Sequence, residues 1–571
     1  MIEFFLVFAC AIGLGWPLGR YLAAVMRGAP SRLDPIFGWI ERSLYRLLGV
    51  DSARGMTWRG YAKAFVASNL AVGILVWTLF VTQAWLPLNP DAIPNLRWDT
   101  ALHTMVSFLT NTNQQHYSGQ AQLSYLSQMV GIVGLQMITP MMGLALAAAT
   151  LRALMGGRQA MQPGGDPAKT AGTEADVGNY WADVVRPTLR FMLPLCLLWS
   201  VLLTSQGVPS TLGAGPVAQP LDTAAGTKEQ KIPLGPVAPM VAAKQLGTNG
   251  GGWYGPNSAV PLENPTPLSN LLETLAIVLI PIAVVFMVGP FTGRRKLTAL
   301  VFGCMVSMSI LSTGAGMLLE DHGASALSLA TMEGKEVRFG ADASALWAML
   351  TTQTSNGSVN AMHDSLAPLT GLATLGNMLV NAIWGGVGCG LQQFVVYLLL
   401  AVFLAGLMTG RTPEMFGRKI EAGEVRLLSL LILLQPFVVL GFTALTLALP
   451  QFTGNSNPGF HGISQVFYEY TSAFANNGSG FEGLGDATYW WNLTCALVLA
   501  LGRYPALIVP LAVAAGLARK RYAPEGAGSL RIETPTFALT ALAVIAILTL
   551  LQFMPALVLG PVAEHLTTMA H

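Results

Sequence analysis

The chain has 571 residues, 53% of them hydrophobic and 11% charged, with a formal net charge of +2. Ordinary soluble domains carry about 25% charged residues, and a mean hydropathy of +0.53 places most of this chain in lipid. Basic residues are too sparse and dispersed for a nucleic-acid surface. Cys10, Cys196, Cys304, Cys389 and Cys495 each sit inside an apolar stretch and read as small buried residues without a disulfide.

A bilayer crossing needs about 20 mostly apolar residues. In chain order, ten segments meet that need: 2–25, 62–86, 127–153, 187–206, 269–290, 297–319, 370–409, 426–449, 488–517 and 537–560. The first carries Glu3 where a cleavable signal would carry positive charge, so it reads as a retained helix. The seventh is too long for one straight crossing.

The connections alternate in charge. Of 31 basic residues, 23 fall on one side, 6 on the other, and Arg20 and Arg503 lie within spans. The basic side is cytoplasmic by the positive-inside tendency, which puts both termini outside. An odd number of crossings would break the alternation.

The long outer connections each hold a short apolar stretch that cannot span: Asp99–Thr110, Pro236–Leu246, Ala343–Thr354 and Ile463–Ala475. Each ends in a polar run: TNTNQ from Thr110, GTNGG from Gly247, TSNGS from Thr354 and ANNGS from Ala475. Counted from the first residue of each run, the second column holds Asn111, Thr248, Ser355 and Asn476. The third holds Thr112, Asn249, Asn356 and Asn477, and the fourth Asn113, Gly250, Gly357 and Gly478. Glycine and asparagine tolerate positive φ best. One such run alone reads as a surface turn. Four in register with the topology read as a repeat, placed at crossings 2–3, 4–5, 6–7 and 8–9.

The expected fold is therefore an all-α membrane protein with ten transmembrane helices. Four helix–pore-loop–helix repeats surround a pseudo-fourfold pathway, with one flanking helix at each end. The divisions fall at 1–60 (first helix and cytoplasmic loop), 61–156, 180–293, 294–410 and 424–520 (the repeats), and 521–571 (last helix). Irregular backbone at membrane depth must line a cavity or be buried, and rings of carbonyls replace the hydration shell of a cation. Few carboxylates sit in these runs, although Glu482 and Asp486 follow the fourth. That suits a monovalent cation better than Ca²⁺ or Mg²⁺.

At these residues the sequence resembles the KdpA family, the potassium-binding, channel-like subunits of bacterial Kdp potassium-transporting ATPases. TNTNQQ, GTNGGG, TSNGS and ANNGSGF look like its four filter segments, and the resemblance covers essentially the whole chain. Gln114-Gln115 depart from it, standing where an aromatic residue is expected. The resemblance implies that K⁺ is the bound and transported ion, with no other cofactor. It implies a separate P-type ATPase catalytic subunit that receives the ion through an intramembrane tunnel, a single-span accessory subunit and a small accessory peptide, all in the bacterial inner membrane. The alternatives are a free-standing K⁺ channel or ion-coupled transporter of the same architecture, and a non-conducting assembly scaffold. No phosphate-binding GxxxxGK[ST] motif occurs, and Asp166-Pro-Ala-Lys169-Thr170 lacks the lysine directly after aspartate that phosphorylation would need.

Other residues carry paired readings. Arg503, deep in the ninth span, is either a structural ion pair or a charge beneath the filter that opposes straight passage of K⁺. Gly385, Gly386 and Gly388 mark either close helix packing or a non-helical segment that gates the path. Arg20 snorkels, Glu273 is interfacial, and His116 reads as structural or solvated.

Overall fold

The computed structural model describes residues 2–30, 34–162, 165, 168, 172–221, 226, 228–323, 332–523 and 530–569. The Asp166–Thr170 stretch lies outside these residues apart from Ala168. Among the described residues ten helices are long and apolar enough to cross a membrane. They are Ile2–Arg27, Trp58–Trp85, Ser127–Leu154, Tyr180–Ser205, Pro267–Thr292, Arg295–Asp321, Cys389–Thr409, Ala422–Leu447, Tyr489–Ala518 and Pro535–Thr568. Among the described residues, sheet is confined to two short hairpins, Val217–Ala218 with Gln230–Lys231 and Glu414–Met415 with Arg418–Lys419.

The fourth spanning helix starts at Tyr180 rather than near 187, because polar residues support its first turn. Asn179 Oδ1 accepts from the Ala182 amide at 3.2 Å. Asp183 is buried and takes a hydrogen bond from Arg152 Nη2 at 2.9 Å. The seventh expected crossing is two helices, Pro368–Val380 and Cys389–Thr409. Between them the chain turns through positive φ at Asn381 (47°), Gly385 (62°) and Gly388 (83°). A Cβ on Gly388 would lie 2.4 Å from the Gly143 carbonyl carbon, so the break and close packing occur together.

After the first span comes a helix, Asp34–Leu47, where the sequence suggested only a loop. It buries Gly38, Glu41 and Tyr45 and leaves Ile36, Trp39 and Leu47 exposed. An outward apolar face on a short charged helix suits the membrane interface.

Four shorter helices follow spanning helices 2, 4, 6 and 8: Trp98–Leu109, Val237–Leu246, Gly340–Gln353 and Phe460–Phe474. They are the re-entrant helices. Every residue of Val237–Leu246 except Pro239 is buried. They stand inside the protein, and the long spanning helix Pro267–Thr292 is buried with them. The first spanning helix covers that one from outside. Gly15 and Gly19 make the approach possible, since a Cβ on Gly19 would lie 2.5 Å from Ala283 O.

Candidate ion-binding site

All four re-entrant helices stop in the same way. Thr112 N donates to Ser107 O at 3.0 Å, Asn249 N to Lys244 O at 2.9 Å, Asn356 N to Thr351 O at 3.1 Å and Asn477 N to Ser472 O at 2.9 Å. Each bond reaches back five residues around a left-handed residue, the Schellman end of a helix. The left-handed residues are Asn111 (62°), Thr248 (51°), Ser355 (52°) and Asn476 (54°). A β-branched threonine at positive φ is strained, and such strain persists only where the surroundings impose it. Two residues on, the chain is left-handed again at Asn113 (59°), Gly250 (82°), Gly357 (83°) and Gly478 (102°).

The four runs meet one another in a ring. A Cβ on Gly250 would stand 2.0 Å from Asn356 O, one on Gly357 2.0 Å from Asn477 O, and one on Gly478 2.2 Å from Thr112 O. Each glycine of the fourth column therefore abuts a third-column carbonyl of the next loop. Asn113 packs instead against Gly251, whose added Cβ would meet Asn113 Cβ at 2.8 Å. Side chains tie the loops further. Asn111 Nδ2 donates to Thr248 O at 3.0 Å, Asn356 Nδ2 to Lys244 O at 3.2 Å and Asn477 Nδ2 to Thr351 O at 2.9 Å. Asn249 and Asn111 touch through their side chains. All twelve residues of the three columns are brought together.

The ring has two faces. Asn113, Gly250, Gly357 and Gly478 line a cavity of about 480 Å³, together with Gln114 and Gln115. The second column faces the break in the seventh crossing. Val387 N donates to Thr248 Oγ1 at 3.1 Å, Ser355 Oγ donates to Asn381 Oδ1 at 2.9 Å, and a Cβ on Gly386 would lie 3.5 Å from Ser355 Cβ. Arg503 is buried beside this break. Its Nη1 lies 2.5 Å from Cys389 Sγ, and its Nη2 donates to Thr139 O at 3.3 Å. Thr139 Oγ1 in turn donates to Asn111 Oδ1 at 2.8 Å. Among the described residues no carboxylate pairs with Arg503, so the ion-pair reading of this residue is corrected.

One further residue differs from expectation, and another is decided between its two readings in favour of the structural one. Glu273 is fully buried, accepting from Gln245 Nε2 at 2.9 Å and Ser258 Oγ at 2.7 Å, because it faces the second re-entrant helix and not the interface. His116 is buried too, with partners described below. Sequence reading also missed the buried pair of Lys244 with Glu263, in which Lys244 Nζ further donates to Asn257 Oδ1 and Ser258 Oγ at 2.6 and 2.7 Å. The available signal was a lysine inside the apolar stretch 237–246.

Over residues 5–566 the chain matches the family described as KdpA, potassium-transporting ATPase A subunit. The chain belongs to the KdpA family. It is 45% identical to the potassium-transporting ATPase potassium-binding subunit of Gloeobacter violaceus over 566 residues, covering 97% of this chain and 95% of that one. The subunit of the same name from Pseudomonas putida is 44% identical, with 96% of each chain covered. The potassium transporter TrkH from Vibrio parahaemolyticus shares the fold, with a TM-score of 0.50 at 16% identity over 87% of this chain and 97% of that one. This KdpA-family chain is thus a multi-pass membrane protein of transporter architecture.

Proposed function

We propose that this chain binds K⁺ in the ring of four loops and admits it to an ATP-driven uptake complex. The observation that carries the reading is the ring itself: carbonyls of three loops packed against left-handed glycines of their neighbours, closed by Asn113 against Gly251, floored by the broken crossing and open to a cavity. Preformed carbonyl oxygens can replace the hydration shell of a K⁺ ion. The re-entrant helices add the negative ends of their dipoles. Asn111, Thr112, Asn113, Thr248, Asn249, Gly250, Ser355, Asn356, Gly357, Asn476, Asn477 and Gly478 form this filter.

The chain's part is non-catalytic. A P-type ATPase subunit hydrolyses ATP and takes the ion through an intramembrane tunnel, with a single-span subunit and a small peptide completing the complex. Arg503 and the Gly385–Gly388 break oppose direct passage to the cytoplasm. The cavity faces outward, both termini are extracytoplasmic, and the repeats occupy 61–156, 180–293, 294–410 and 424–520 in the inner membrane.

The test is ion density in the purified complex at high and low K⁺, with Rb⁺ as a heavier substitute. Density inside the ring that disappears at low K⁺ supports the reading. An empty ring at saturating Rb⁺, or purification without any P-type ATPase, overturns it.

A further inference from the structure

Beside the first loop lies a cluster that the ring does not use. His116 follows the first filter run, Glu469 is on the fourth re-entrant helix, and Cys495 is on the ninth spanning helix. Their ligand atoms all lie within 4.8 Å of one another. Asp486 adds a carboxylate oxygen 4.0 Å from His116 Nε2 and is the one partly exposed member, at 29%.

The hydrogen bonds fix which ring nitrogen is free. Arg97 pairs with Asp99 through two bonds of 2.5 and 2.8 Å, so Asp99 is an acceptor only. Asn492 Nδ2 donates to Asp99 Oδ2 at 2.8 Å, which turns Asn492 Oδ1 toward His116 Nδ1 at 2.8 Å. Nδ1 therefore carries a proton. In the neutral ring Nε2 presents a lone pair, and it points at Glu469 Oε1, 3.3 Å away, with Asp486 behind. A lone pair facing two carboxylates is relieved by a positive charge at that place, either a second proton on the ring or a metal ion. The Asp99–Asn492–His116 chain is the kind of outer support that orients a metal-bound histidine.

We propose that His116 Nε2, Glu469 Oε1 and Cys495 Sγ, with Asp486 at the fourth position, form a site for a divalent transition-metal ion of the zinc type. Imidazole, carboxylate and thiolate together select zinc or cadmium over Ca²⁺, Mg²⁺ or K⁺, which prefer oxygen. At metal–ligand bonds of about 2.0–2.3 Å, tetrahedral ligands stand about 3.3–3.8 Å apart, so closing the set needs side-chain shifts of about 1 Å. The ion enters past Asp486, and the Cys495 thiol releases its proton to solvent on binding.

Occupancy has a consequence for the ring. Glu469 Oε1 also accepts from Gln114 Nε2, and Gln114 directly follows Asn113. A metal ion that takes Glu469 releases Gln114 and loosens the first loop. External zinc therefore weakens K⁺ capture; this consequence rests on the proposed function, whereas metal binding does not.

The purified complex is titrated with Cd²⁺, following the ultraviolet thiolate-to-metal absorption, and separately with Zn²⁺ while Rb⁺ binding is measured. The wild type should show a saturable Cd²⁺ band. Cys495→Ser should lose it, and Asp486→Asn should weaken Cd²⁺ affinity by more than about tenfold. Both variants should keep the gel-filtration profile of the complex. No saturable band in the wild type, or one unchanged in Cys495→Ser, overturns the site. Loss of Rb⁺ binding on acidification in the absence of any saturable band identifies the cation as a proton and likewise overturns the site. A saturable, variant-sensitive band with Rb⁺ binding indifferent to Zn²⁺ upholds the site and removes only its link to the first loop.

Discussion

Single atoms decide the proposed ring. Gly250, Gly357 and Gly478 combine positive φ with a neighbour's carbonyl 2.0–2.2 Å from where a Cβ would be. Gly357→Ala carries left-handed strain of about 1–3 kcal/mol in addition to this overlap. Since about 1.4 kcal/mol is tenfold, Rb⁺ affinity of the variant complex should fall at least tenfold by direct binding. Arg503 is buried with only a thiol and a carbonyl as partners among the described residues. Arg503→Gln should raise ATP-independent K⁺ flux in proteoliposomes several-fold and change the K⁺ affinity of ATP-driven uptake. If both stay at wild-type values, Arg503 does not control the path. The Lys244–Glu263 pair is wholly enclosed. Lys244→Met strands a carboxylate at a cost of about 3–5 kcal/mol, so Tm should drop clearly, and adding Glu263→Gln should restore part of it.

The re-entrant helices were legible because their signals are local. A helix stopped by Asn or Gly at positive φ leaves its mark within five residues, as at Ser472–Asn477. Long apolar runs likewise announced the crossings. What stayed illegible depends on distant partners. Glu273 looks interfacial until Ser258 and Gln245 surround it, and His116 meets Asn492 across 376 residues of chain. The helix at 34–47 escaped notice because its exposed side mixes Ile36, Trp39 and Leu47 with Arg42 and Arg46, so no polar face stands opposite an apolar one as in a soluble amphipathic helix. The broken crossing was readable as a glycine-rich segment too long for one straight helix, with close packing and a non-helical break both open. With Val387 and Asn381 bonded to the second column, movement of 381–388 is what would open the inner face of the ring. A cysteine pair that cross-links this segment to the adjacent part of helix Ser127–Leu154 should stop transport and leave Rb⁺ binding intact. Transport that continues at full cross-linking counts against gating there.

On the scale of the molecule, distant segments are clasped by His461. Its Nε2 lies 2.9 Å from Asp364 Oδ1, in the stretch after the third loop, and its Nδ1 lies 2.7 Å from Glu564 Oε1, on the last helix. These carboxylates raise the His461 pKa to about 9 against the opposing effect of burial. A raised folded-state pKa stabilises fully below the ordinary value of about 6.5, and the gain is lost as pH rises through about 9. Tm of the complex should therefore decline from pH 7 to pH 9.5, and His461→Phe should flatten that decline. The loops themselves hold a different lesson. Three of the four contacts around the ring are glycine against carbonyl; the fourth place has Asn113, whose amide oxygen and nitrogen have no hydrogen-bond partner among the described residues. A ring assembled from four identical chains repeats every change four times. This one is folded from a single chain and has a seam, so one quarter can be altered while three stay fixed.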